Sequence, residues 1–167
     1  MAVLCPRGLS VRTLVSGWTV IKEIGVSPTP SRTFGALTKP SQLNKWFTQG
    51  AKVNLRVGGS YSNRDGDKGR FLDIVHNERL RFTWDNPSYA PNSIVEILLK
   101  RIRGRTVVTL IHSGFKQRED FEEYASGGSG WNWALENLKA HLEHRRIIDY
   151  GEWLKKSSGR SRTPRNG

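Results

Sequence analysis

Two periods of hydrophobic and polar residues run along this chain, and the point where one replaces the other divides it. Val20 and the flanks of Lys22 predict a first strand, Trp18–Ile24, stopped by Gly25, after which Ser27-Pro28-Thr29-Pro30 punctuates the chain. Phe34 and Leu37, then Leu43, Trp46 and Phe47, predict two short helices divided at Thr38-Lys39-Pro40, where Pro40 suits a first helical turn. Period two then takes over. Val53, Leu55 and Val57 alternate with polar residues up to a bend at Gly58-Gly59, and a strand around Ser60–Arg64 meets the hairpin signal Asp65-Gly66. Strands follow at Arg70–Val75, Arg79–Trp84, Ser93–Leu99 and Arg105–Ser113, with turns at His76-Asn77-Glu78, Asp85-Asn86-Pro87 to Pro91-Asn92, and Arg103-Gly104. The total is about seven strands, an antiparallel meander from residue 51 onward.

Alternation assigns faces. Leu80, Phe82 and Trp84 lie opposite Arg79, Arg81 and Thr83; Val95, Ile97 and Leu99 lie opposite Glu96 and Lys100; Val108, Leu110 and His112 share the side away from Thr109. His112 therefore faces the interior. After a short helix around Arg118–Tyr124 and a joint at Gly127-Gly128-Ser129-Gly130, with Ser129 as a candidate cap, the period lengthens to that of a helix. Trp131, Leu135, Leu138 and Leu142 form its apolar stripe, and Glu136, Lys139 and Glu143 its wet side. A sheet with one apolar face must be covered, and this helix carries the matching stripe, so the expected domain is α+β with a space or a packed core between sheet and helix.

Composition narrows the classes of function. The chain has 167 residues, 36% hydrophobic, with six Trp, six Phe and four Tyr, enough aromatic mass for the core of one domain. No run approaches the ~18 apolar residues of a membrane span, and the lone Cys5 cannot form an intrachain disulfide or a thiolate metal cluster, which fits a cytoplasmic protein. The formal net charge of +12 is unevenly spread: +8 in residues 1–64, −1 in 65–154 and +5 in 155–167. The basic excess thus sits in the ends, with no motif interleaving it with aromatics, and no specific nucleic-acid partner is expected. Residues 155–167 have no apolar anchor and are expected to be a disordered basic tail, and residues 1–17 an irregular arm, a leader or an over-extended start, leaving a domain at 18–154.

Five runs in this order, Phe34-Gly35-Ala36-Leu37-Thr38, Gly58-Gly59-Ser60-Tyr61, Arg79-Leu80-Arg81-Phe82-Thr83-Trp84, Val108-Thr109-Leu110-Ile111-His112-Ser113-Gly114-Phe115 and Gly130-Trp131-Asn132-Trp133-Ala134-Leu135, resemble the SRPBCC (START-like) superfamily. Within it the chain is similar to the branch named after the activator of the heat-shock protein 90 ATPase, over about Trp18 to Arg145. The resemblance implies the helix-grip fold: a seven-stranded antiparallel sheet wrapped around a long C-terminal helix, with two short helices after strand 1. Lys39 departs from the acidic residue usual at that place, which would cap the following helix better.

The leading expectation is a non-catalytic module that binds a hydrophobic or amphipathic small molecule. The cavity-lining candidates are Trp46, Phe82, Trp84, Val95, Ile97, Leu110, His112, Phe115, Trp131, Leu135 and Leu138; the competing reading is that the same residues pack a solid core. His112 is the one candidate acid or base, in an alternative cyclase or dehydratase reading, because a histidine among apolar neighbours needs a partner for each nitrogen. A third reading is a co-chaperone-type interaction domain, with the acidic patch Glu119, Asp120, Glu122 and Glu123 as a solvated or docking face. His141, Glu143 and His144 share one helix end, but two histidines beside Arg145-Arg146 make a poor metal site, so no metal and no cofactor are expected. Monomer and homodimer both stay open.

Overall fold

The structure is a computed structural model and describes residues 11–86 and 88–160. Eight antiparallel strands form one sheet in the order β1-β2-β8-β7-β6-β5-β4-β3. Their ranges are β1 Arg12–Ser16, β2 Thr19–Val26, β3 Lys52–Val53, β4 Ser60–Ser62, β5 Lys68–Val75, β6 Arg79–Asn86, β7 Tyr89–Ile102 and β8 Arg105–Ser113. Helices α1 (Pro30–Thr38) and α2 (Pro40–Trp46) connect β2 to β3, and α3 (Arg118–Ala125), α4 (Gly130–Leu142) and α5 (Tyr150–Arg160) follow the sheet. The order is that of the helix grip, with one more strand than the seven expected.

The extra strand corrects the irregular arm. Arg12–Ser16 folds back on β2 through Gly17-Trp18, pairing Arg12 with Glu23 and Ser16 with Thr19, so β2 is paired on both sides and β1 becomes the sheet edge. Trp18 consequently stands in the turn and not in the first strand; it is half exposed and stacks on Phe121 at 6.2 Å. The strand expected over Val53–Val57 shrinks to Lys52–Val53, and Leu55 and Val57 are exposed: their alternation is regular, but no neighbouring strand reaches them. At the other end α5 runs through residues 155–160, where a tail without order was expected. Trp153 anchors it, buried, with its indole N–H donated to Glu136 Oε2 at 2.6 Å. The expectations for residues 1–10 and 161–167 lie outside the described residues.

Register carries the core across the sheet in rows. One row runs Phe71–Phe82–Val95–His112–Val20, the next Leu80–Ile97–Leu110–Lys22, and a third Leu99–Val108–Ile24. The long strand β7 starts earlier than the pattern predicts, at Tyr89, with Ala90 and Asn92 in the left-handed region and a register shift between Trp84 and Asn86. Helix α4 lies on this face, with Trp131, Ala134, Leu135 and Leu138 buried against it. Lys39 sits at the N-cap of α2 and makes no side-chain capping bond, as its departure from an acidic residue leads one to expect.

The Asp65-Gly66 turn forms as the sequence predicts. Gly66 takes φ +88°, and Asn63 Oδ1 accepts from the backbone N–H groups of Asp65 and Asp67 at 3.0 and 3.2 Å. Three residues after Gly66, Gly69 is required for a different reason: a Cβ there would lie 1.9 Å from the Thr83 carbonyl oxygen and 2.7 Å from the Tyr61 ring, which lies over it. Tyr61 in turn donates its hydroxyl to Thr83 O at 2.7 Å. Gly69→Ala is therefore expected to cost about 3 kcal/mol or more in urea unfolding, whereas Gly128→Ala, with open space around it, should stay within about 0.5 kcal/mol.

Candidate functional site: the space between sheet and helix α4

Between α4, the α1–α2 pair and the β4–β6 half of the sheet lies a half-enclosed cavity of about 90 Å³. The sheet contributes Tyr61, Phe71, Leu80, Phe82, Trp84, Ile97 and Leu110; α4 contributes Trp131, Ala134 and Leu135; α1 and α2 contribute Leu37, Leu43 and Trp46, with Phe47 beyond. The walls are almost wholly apolar because the period-two face of the sheet and the stripe of α4 meet there. Trp46 is held by its indole N–H on Ala36 O at 2.9 Å, and Asn137 Nδ2 donates to Trp46 O at 3.2 Å, tying α2 to α4.

Seven of the eleven lining candidates border this cavity: Trp46, Phe82, Trp84, Ile97, Leu110, Trp131 and Leu135. The other four do not. Val95 and Leu138 are fully buried in solid core, and His112 and Phe115 lie in an aromatic cluster with Tyr124 and Trp131. Trp131 divides the two regions. One side of its indole borders the cavity and packs on Trp84 at 4.8 Å, while its N–H points away, to His112. Tyr61, Phe71 and Leu37 were missed as lining residues. Their inward phase was visible in the sequence, but which end of the sheet stays unfilled was not.

His112 is fully buried and its protonation state follows from its partners. Trp131 Nε1–H can only donate, and it reaches His112 Nδ1 at 3.0 Å, so Nδ1 carries no proton. Nε2 must then hold the proton and donate it to Ser93 Oγ at 2.7 Å, whose own hydroxyl is donated to Ala90 O at 2.7 Å. Burial pushes the imidazole down to about 3 from its ordinary 6.5. A neutral ring with both nitrogens engaged within the protein is a structural element and has no nitrogen left for a substrate.

Lys22 is a second buried polar centre, and one that sequence reading passed over. It is fully buried, in phase with Val20 and Ile24, and its ammonium donates to Thr13 Oγ1 at 3.2 Å, to Ser126 O at 3.0 Å and to Asn132 Oδ1. Ser129 stands at the N-cap of α4, but its hydroxyl donates to Asn132 Oδ1 at 3.1 Å and makes no bond to the helix backbone. Lys22 thereby ties β1 and the α3–α4 joint to the first turn of α4. The signal was its position in the alternation, inward among apolar neighbours.

Of the two helix-end histidines, His141 is engaged across to α2: its Nε2 lies 2.7 Å from Gln42 Oε1. Burial would raise the Glu143 carboxyl, but the N–H and hydroxyl of Ser27, together with Lys139, outweigh it and hold it below the usual range. Among the described residues no three His, Cys, Asp or Glu side chains gather to hold a metal ion, and no helix is long and apolar enough to cross a membrane.

A curved antiparallel sheet gripping a C-terminal helix, with a small apolar space between them, defines a helix-grip domain of the SRPBCC class. Within that class the chain belongs to the family described as Activator of Hsp90 ATPase homolog 1-like protein, whose model matches residues 28–143 and spans all five motif runs. Among similar solved structures is CalU16 from Micromonospora echinospora, 20% identical, with a TM-score of 0.70 over 93% of this chain and 93% of that one. Another is the Aha1 dimer from Colwellia psychrerythraea, 22% identical, with a TM-score of 0.65 over 75% of this chain and 96% of its own. The protein CV1439 from Chromobacterium violaceum is 26% identical, with a TM-score of 0.62 over 77% of this chain and 99% of that one. No curated protein matches the sequence.

Proposed function

We propose that this protein is a non-catalytic binding module whose central cavity takes the apolar part of a hydrophobic or amphipathic small molecule. The observation that carries the reading is the half-enclosed space of about 90 Å³ whose walls are mostly apolar, with Thr48, Lys52, Ser62 and Asn63 as its polar part. Drug-sized ligands use pockets of ~300–1,000 Å³, whereas an apolar cavity of ~150 Å³ suffices for benzene. At about 90 Å³ the space is smaller than that, so it suits a short alkyl chain or part of one ring, with the rest of the ligand projecting through the open side. A cytoplasmic location and a monomeric or homodimeric state complete the proposal, the latter supported by the dimer named for the Colwellia psychrerythraea structure.

The test is native mass spectrometry of gently purified protein, together with a thermal-shift series of single-ring aromatics and short-chain lipids. A ligand at one hundred times its Kd adds about 2.7 kcal/mol to stability, a clear shift in melting temperature. Ala134, buried on the cavity wall, offers the control: Ala134→Leu fills the space and is expected to abolish the shift while the protein stays folded. Undiminished shifts in that variant, or a wild-type protein that carries and responds to nothing, overturn the reading.

The family match favours a second reading, stimulation of a heat-shock protein 90-type ATPase through a protein surface, with the exposed acids of α3 as a docking face. Pull-down and ATPase assays with such a chaperone at saturating concentration decide it, and no effect ends it.

A further inference from the structure

A second groove, of about 310 Å³, lies on the far side of Trp84, Trp131 and Phe47, the three residues it shares with the inner cavity. Six aromatic rings wall it. Trp84, Trp131 and Tyr124 stand on one side, with centroids 4.8 and 6.1 Å apart along that series. On the other, Trp133 lies 6.3 Å from Phe47 and 5.7 Å from Tyr150. The remaining polar wall is Asp65, Asp67 and Asn86, and among the described residues no Lys, Arg or His lines the groove, in a chain whose net charge is +12.

The carboxylates are held in place by neutral donors. Asp67 is only 7% exposed; its Oδ1 accepts from Asn86 Nδ2 at 2.8 Å and its Oδ2 from Asn63 Nδ2 at 3.1 Å. Asp65 Oδ2 accepts from Thr48 Oγ1 at 2.6 Å. Among the described residues no ion pair reaches either aspartate. Gly130, at the amino end of α4, also borders the groove, but a helix terminus carries only about half a unit of positive charge against two carboxylates.

We propose that this groove binds a methylated or quaternary ammonium group, held by the faces of its aromatic rings and by the negative charge of Asp65 and Asp67. The chemistry selects that class. Two carboxylates repel anions. A bare metal ion needs several open oxygen ligands, and here the Asp67 oxygens already accept from two side-chain amides. A methylated ammonium needs no hydrogen bonds; it offers diffuse positive charge to ring faces and an apolar surface to the rest. Burial raises the Asp67 carboxyl above its usual range and the charge of Asp65 adds to this, while the Asn86 and Asn63 bonds act the other way; a cation in the groove counteracts the first two. This site goes beyond the inner cavity and does not require that cavity to be filled.

The experiment follows the indole N–H resonances of the full chain during titration with choline and with its uncharged isostere 3,3-dimethylbutan-1-ol. Choline should move Trp84, Trp131 and Trp133 saturably and bind about tenfold or more tightly than the alcohol. Asp67→Asn should weaken choline by about tenfold with little effect on the alcohol; if that variant does not fold, Asp65→Asn decides in the same way. Trp46 borders the inner cavity and not the groove, so movement of Trp46 alone places choline in that cavity and overturns the proposal. Equal affinity for the two probes, no saturable shift with choline, or binding unchanged in the aspartate variants overturns the proposal.

Discussion

Acidification from pH 6.5 towards 3 is expected to cost this protein about 5 kcal/mol through His112 alone, a loss of about 1.4 kcal/mol per pH unit. The sign follows from proton uptake. The unfolded chain binds a proton at His112 near pH 6.5, while the folded chain does so only near 3, so between those values the unfolded state holds more protons and falling pH favours it. The contribution is complete above about 6.5 and lost as pH approaches 3. A domain's whole stability is only ~5–15 kcal/mol, so this term is able to bring the protein to its unfolding midpoint within the range. Glu143 acts in the same direction at lower pH, its carboxyl being held below the usual value, and Asp67, raised by burial, acts in the opposite one. Urea unfolding at a series of pH values, in wild type and in His112→Gln, isolates the histidine: the variant should start less stable but have a slope flatter by about 1.4 kcal/mol per unit between pH 6.5 and 4.5. Parallel slopes would show that His112 is not held neutral by the fold.

The second large effect is at Trp131, the partition between the cavity and the His112 cluster. Trp131→Ala removes a buried indole, merges the cavity with the space beside His112 and should cost about 3–5 kcal/mol. Trp131→Phe keeps most of the ring area against Trp84 but deletes the N–H that His112 Nδ1 accepts, leaving a buried acceptor without its donor; about 1–3 kcal/mol is expected. Chemical denaturation of both variants separates packing from hydrogen bonding. If the two cost the same, the hydrogen bond carries the whole effect and the packing none, contrary to the arrangement described. In Trp131→Phe, loss of the single His112 tautomer by nitrogen NMR would follow directly from the freed Nδ1.

The architecture of the sheet was legible where alternation and turn chemistry agreed. Leu80, Phe82 and Trp84 face inward as their period requires, Asp65-Gly66 turns as its backbone demands, and Arg103-Gly104 closes β7 onto β8 with both residues at positive φ. Legibility failed where an element owes its existence to a partner. β1 forms only because β2 offers it an edge, α5 because Trp153 finds Glu136, and Leu55 and Val57 stay exposed because no strand reaches them. Lys22 shows the same limit from the other side: its phase pointed inward, but its acceptors include Thr13 on the neighbouring strand and Ser126 and Asn132, both more than a hundred residues away in the chain.

The sequence by itself determined the class of fold, the inward faces of β6, β7 and β8, the apolar stripe of α4 and the burial of His112, because these depend on periods of two and 3.6 that local backbone geometry imposes. The tertiary structure alone decided which inward residues border open space and which are packed solid. It also decided that His112 is occupied on both nitrogens and that two aspartates share a groove with six aromatic rings. Those facts depend on distances between segments separate in sequence, and the volume left between them is a small difference between large packed volumes that no single strand or helix encodes.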